Sequence, residues 1–179
     1  MRNFLNIIAL GLVPIALVFA PVCANSQTAA RLTTSSSNDL AQPSSNEPPT
    51  ITSIESAVHE QINQYRAEHG LPAFTIDSSI SEQARLHSQN MANGTVGFGH
   101  DGFQERLGAI STTISYASAA ENVAYNQGYG DPATQAVKGW LNSNGHLKNI
   151  RGNYNQTGIG VAKNATGEYY FTQIFIRTP

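Results

Sequence analysis

Glu168-Tyr169-Tyr170-Phe171-Thr172-Gln173-Ile174-Phe175-Ile176 decides the fold class of this chain. Side chains alternate across a strand. Tyr169, Phe171 and Phe175 therefore share one face, and Tyr170, Ile174 and Ile176 the other. A strand that is apolar on both sides is covered on both sides. Helices must then lie above and below its sheet, which predicts a three-layer α-β-α sandwich of the α+β class. Upstream, Gly158-Ile159-Gly160-Val161-Ala162-Lys163 reads as a partner strand. Asn164-Ala165-Thr166-Gly167 supplies the turn of a C-terminal antiparallel hairpin.

The covering helices are legible by their period. Ile54, Val58, Ile62 and Tyr65 recur every three or four residues, which predicts an amphipathic helix capped by Thr52 or Ser53 and ended at Gly70. Ile80, Ala84, His87 and Met91 form the inner face of a second, from about Ser79 to Ala92. A short helix is expected over Phe103–Leu107. A fourth begins at Asp131-Pro132, continues through Val137 and Trp140, and stops at Asn144-Gly145.

Toward the amino end the character changes. Met1-Arg2, the apolar run from Phe4 to Phe19 and the small residues of Val22-Cys23-Ala24 predict a cleaved export signal over residues 1–24. The run is too short and too broken by Gly11 and Pro14 to suit a membrane span. Residues 25–50 are dominated by Ser, Thr, Asn, Gln and Pro, a composition too poor in apolar surface to offset ordering entropy, so a disordered spacer is expected. The folded domain is expected over residues 51–179. Cys23 is the only cysteine, which removes disulfide stapling and thiolate chemistry from that domain. A formal charge of -2 without a basic block argues against a nucleic-acid partner. Nothing suggests a polybasic membrane patch, and the exported domain is expected to be monomeric.

Four blocks carry the candidate chemistry: Gly99-His100-Asp101, Ala120-Glu121-Asn122-Val123-Ala124, Trp140-Leu141-Asn142-Ser143-Asn144-Gly145-His146 and Tyr170-Phe171-Thr172-Gln173-Ile174-Phe175. In order and spacing they resemble the CAP superfamily of cysteine-rich secretory, antigen 5 and pathogenesis-related proteins, with SCP-like extracellular domains. The likeness is to its bacterial, disulfide-free branch and covers roughly residues 54–177. It implies an α-β-α sandwich with a shallow cleft. By that resemblance His100 matches the family's first cleft histidine and Glu121 its first acid. Ser143 stands where the second acid would be and Tyr170 where the second histidine would be, so the four-residue pattern is incomplete. His146 matches a histidine of the bacterial branch, expected to enter the same cleft after Gly145 turns the chain.

Two imidazoles and a carboxylate suit Zn²⁺ with a position open for water, so His100, Glu121 and His146 are the expected ligands of a divalent metal, Zn²⁺ foremost. The same three are the candidate catalytic groups. Read from residue types alone, the alternative stays open that each histidine satisfies a buried hydrogen bond. Asn122 is expected to fix its segment through side-chain bonds to backbone. His87 is expected to be packed, His59 and His69 to be solvated or at a helix end, and Arg106 to pair with Asp101 or Glu105. Trp140 reads as a core anchor. Ser143 lies three residues before His146, but no elbow motif surrounds it.

Three functions follow. The first is a secreted or periplasmic module that binds an extracellular or envelope ligand, a lipid or sterol among the candidate classes. The second is a metal-assisted hydrolase of peptide or ester bonds. The third is an envelope-associated structural or adhesive protein. The resemblance implies binding and secretion ahead of any reaction.

Overall fold

The computed structural model of the protein describes residues 48–179. The export signal and nearly all of the spacer expected before residue 51 lie outside the described residues. Helix α1 spans Ile51–Glu68 and is capped by Thr50, whose side-chain oxygen accepts from the Ser53 N–H. The cap thus falls two or three residues before the expected Thr52 or Ser53. Strand β1 covers only Thr75–Ile76. Helix α2, Ser78–Ala92, starts where Asp77 accepts from the N–H groups of Ser79 and Ile80, leaving two fewer orphan donors at its end. Helix α3 runs over Phe103–Ser111, four residues beyond the expected end. Those residues bring Ile110 onto the same buried face as Arg106 and Leu107.

Strand β2, Ser118–Asn126, carries little intrinsic strand signal, since most of its residues are small or polar. It is a strand because it pairs antiparallel with β4, from Ser118 opposite Arg177 to Asn126 opposite Tyr169. Helix α4, Pro132–Leu141, has Asp131 as its cap and proline in its first turn. A further helix, α5, follows over Asn144–Ile150. It replaces the stop expected at Asn144-Gly145. Ser143 takes an extended conformation that breaks the chain between the helices, and its carbonyl accepts from the Leu147 N–H to start α5. Gly145 therefore lies inside a helix and does not form a turn.

Strands β3, Gln156–Lys163, and β4, Tyr169–Arg177, form the expected hairpin, and the sheet order is β1-β3-β4-β2. Helices α1 and α4 cover one face. There Ile54, Val58, Ile62 and Trp140 pack with Phe171 and Phe175. Helices α2 and α3 cover the other, where Ile80, Ala84, Leu107 and Ile110 meet Ile174 and Ile176. The sandwich is the one the alternation in β4 requires.

The backbone of α2 comes directly against the sheet at two glycines of β3. A Cβ at Gly158 would lie 2.3 Å from backbone atoms of Ile80 and Ser81. At Gly160 it would lie 2.1 Å from the Arg85 nitrogen. Only a residue without a side chain leaves room for the helix backbone there. This approach carries His87 of α2 toward the far edge of the sheet, where β2 and α3 meet.

Candidate functional site

Glu121 lies on β2 facing the α2–α3 layer, and its side chain is almost wholly buried, with 1% exposed. A buried carboxylate needs a partner, and Arg106 of α3 supplies it. Nε and Nη2 donate to the two oxygens at 2.9 and 2.8 Å, a bidentate pair. Arg106 is itself 8% exposed. Its remaining N–H groups reach the Asp101 carbonyl at 2.9 Å, His87 Nδ1 at 3.1 Å and the His100 carbonyl at 3.5 Å. Every donor of the guanidinium has an acceptor.

The network also fixes His87. A guanidinium cannot accept, so Nδ1 must be the acceptor and Nε2 carries the proton, which it donates to the Gly99 carbonyl at 2.8 Å. His87 is thereby the neutral ring. Burial lowers its pKa below the ordinary histidine value, the Gly99 bond opposes that, and the Arg106 charge lowers it further. His87 and Arg106 together hold three consecutive carbonyls, Gly99, His100 and Asp101, and so set the path of the loop that bears His100.

His100 donates from Nδ1 to Glu121 Oε1 at 2.9 Å, while its side chain remains 53% exposed. That bond orients the ring and leaves Nε2 with no partner among the described residues. The resulting device is a buried, neutralised carboxylate aiming a surface imidazole.

Helix α5 approaches the outer edge of β2. Asn149 donates to the Glu121 carbonyl at 3.3 Å and to Asn122 Oδ1 at 2.9 Å, and Asn122 donates to the His146 carbonyl at 3.2 Å. Trp140, buried in the core, donates to the Val123 carbonyl on the same edge at 3.0 Å. His146 is half-buried, and its Nδ1 is buried without a hydrogen-bond partner among the described residues. Desolvation lowers its pKa, and nearby His100 lowers it further, although no hydrogen bond joins the two rings.

The remaining sequence candidates separate from this centre. Tyr170 donates to Glu168 at 3.3 Å and stacks on Tyr125, not on His100 or Glu121. Ser143 occupies the N-cap position of α5 without a side-chain capping bond, and no hydrogen bond links it to His146. Arg106 pairs with Glu121, not with the side chain of Asp101 or Glu105, because it lies on the inner face of α3 with Leu107 and Ile110. His59 is half-buried and bonded to the Phe74 carbonyl, not solvated. His69 is at the exposed end of α1 as expected. The position of Arg106 in the apolar period of α3 is the signal that could have assigned it to the site.

A metal shell built from His100, Glu121 and His146 does not fit this arrangement. Both Glu121 oxygens are engaged by Arg106, one of them also by His100, and a permanent cation stands where a second would have to come. Among the described residues, no group of three or more His, Cys, Asp and Glu side chains converges as metal ligands would.

The family model for the cysteine-rich secretory protein family, CAP, matches residues 59–175. The chain belongs to the CAP family. An uncharacterized relative, YkwD of Bacillus subtilis, is 36% identical over 132 residues, covering 72% of this chain and 49% of its own length. An extracellular protein of Bacillus anthracis containing an SCP domain is 29% identical with a TM-score of 0.58, over 74% of this chain and 45% of that one. An outer surface protein of Borrelia burgdorferi has the same fold at 17% identity, with a TM-score of 0.60 over 73% of this chain and 97% of that one. This CAP chain thus spans about half the length of the two Bacillus proteins. Its single cysteine leaves no partner for an internal disulfide, unlike the pattern that gives the family its name. No helix among the described residues is long and apolar enough to cross a membrane.

Proposed function

We propose that this CAP domain is a secreted binding module whose extracellular or envelope ligand meets the exposed ring of His100. The observation that carries the reading is the commitment of His100 Nδ1 to a buried carboxylate. It leaves Nε2 as an oriented, unshared hydrogen-bonding atom at the surface. Such preorganisation lowers the entropy lost on binding. A ligand with a hydroxyl or carbonyl beside an apolar body suits the position, and lipids and sterols are among such molecules. Export rests on the leader-like residues 1–24 and on the extracellular Bacillus anthracis relative.

Hydrolysis is the second reading, because a carboxylate-oriented imidazole is also a general base. Among the described residues Ser143 makes no hydrogen bond to either cleft histidine, so on this reading the base would act on water. Binding without turnover accounts for the geometry with fewer parts.

The test is direct. Wild type and His100→Ala are titrated with phospholipid vesicles, a solubilised sterol and neutral oligosaccharides, and assayed on ester and peptide panels. Binding of one class that is lost in the variant is expected, with no hydrolysis in either protein. Binding indifferent to His100→Ala defeats the reading, and turnover lost in the variant favours the hydrolase. Calorimetry with Zn²⁺ is expected to show no saturable site that depends on His100.

A further inference from the structure

Glu121 and Tyr125 lie on the same face of β2, four residues apart, a run of roughly 13 Å at strand spacing. The loop between α2 and α3 answers both. Phe98 packs edge-on against Tyr125, with ring centroids 5.0 Å apart and planes at 71°, and His100 bonds Glu121. One short loop and one strand face therefore build a strip with an aromatic end and a polar end. Tyr170, directly across from Tyr125 on β4, extends the aromatic end at 6.0 Å and 23°. Phe98 and Tyr125 stay 51% and 55% exposed, so much of their apolar surface is left in water.

From this strip we infer that the protein binds an uncharged, extended carbohydrate chain, stacking sugar rings on Phe98, Tyr125 and Tyr170 and receiving a hydroxyl at His100. The inference rests on the reading that His100 faces a ligand. Pyranose rings offer flat C–H faces to aromatic rings and a rim of hydroxyls to polar neighbours. The platform has both parts, since Tyr170 and Glu168 add a hydroxyl and a carboxylate beside the rings. Its length exceeds one sugar ring, which calls for an oligosaccharide.

Charge separates this occupant from an anionic lipid or a phosphate. Arg106 is spent on Glu121, and Lys163 lies over Tyr169 on the opposite face of the sheet. Among the described residues no cation sits over Phe98, Tyr125 or Tyr170. The carboxylate that does border the rings is that of Glu168, which repels an anion.

The full chain is titrated calorimetrically with cellohexaose and with chitohexaose, at about 0.05 and 0.5 M NaCl. Saturable binding of at least one sugar is expected, altered by salt less than about twofold. Tyr125→Ala and Phe98→Ala should each weaken it about tenfold, and Tyr125→Phe by less than about threefold, with unchanged urea midpoints. No binding of either sugar, or binding untouched by Tyr125→Ala, overturns the inference. A dimer in sedimentation that Tyr125→Ala dissolves also overturns it, by assigning the row to self-association. If vesicles or sterol bind through His100 while the sugars do not, the carbohydrate inference fails and the binding module stands. Sugar binding lost in Tyr125→Ala but untouched by His100→Ala upholds the platform and removes the role given to His100.

Discussion

On the α3 side of β2, Glu121 sits among donors so complete that every N–H of Arg106 has an acceptor. One residue along the strand, on the α5 side, Asn122 is bonded through Asn149 and the His146 carbonyl, yet His146 Nδ1 has no partner among the described residues. The difference follows from charge. A formal charge under protein costs several kcal/mol unless closely paired, so the Glu121 environment must be closed. A neutral imidazole with one idle nitrogen costs about 1–3 kcal/mol at most, and packing of α5 absorbs it. At the boundary of the closed network His100 carries the orientation set by Glu121 to the surface.

The contrast is most exposed by removing Arg106. Arg106→Met should destabilise by about 3–5 kcal/mol in urea denaturation, because Glu121 is left buried without its cation. Adding Glu121→Leu should return part of that loss, since the stranded charge goes with it. If the double variant is no better than the single, the network is holding the loop mainly through its carbonyl contacts. Gly160→Ala tests the approach that brings His87 into place. The added methyl would meet the α2 backbone and should cost about 3 kcal/mol, read the same way. On the α5 side, Asn149→Ala should cost about 2 kcal/mol by leaving the buried Asn122 oxygen unsatisfied.

Acid sharpens the same comparison. His87 and His146 both have pKa values lowered in the folded protein, so below the ordinary histidine pKa the unfolded chain takes up protons first. Stability from these rings is fully present above that pKa. It falls as pH drops toward their lowered folded values. Urea midpoints measured downward from pH 7.5 should show this, and His87→Gln should flatten the slope. The smallest effect is expected at His146→Leu, within about 1 kcal/mol of wild type, because the buried Nδ1 has no hydrogen bond to lose among the described residues. A cost as large as that of Arg106→Met would mean that Nδ1 has a partner in solution and that the two sides are not different.

Much of the architecture is readable from the chain because it depends on local period and caps. The two-sided apolarity of Tyr169–Ile176 requires covering layers, and the spacing of Ile54, Val58 and Ile62 supplies one of them. β2 is not readable in this way. Its Ala, Asn and Ser residues have no strand preference, and pairing with β4 alone makes them extended. α5 is hidden by Gly145, a poor helix former whose cost is small beside the burial of Ile150. At the site, the resemblance points to His100 and Glu121. For Arg106 the sequence suggests the wrong partner, because nearby acids along the chain look closer than one fifteen residues away.

The sequence alone determined the sandwich and the hairpin, since both depend on period along the chain; it pointed to the family by resemblance, and its single cysteine leaves no pair for an internal disulfide. Tertiary structure decided what Glu121 does. Its carboxylate could have served a metal, a proton transfer or an ion pair. Which partner meets it depends on charges brought together across space, and in the fold a guanidinium from α3 arrives bidentate while His100 takes one of the same oxygens.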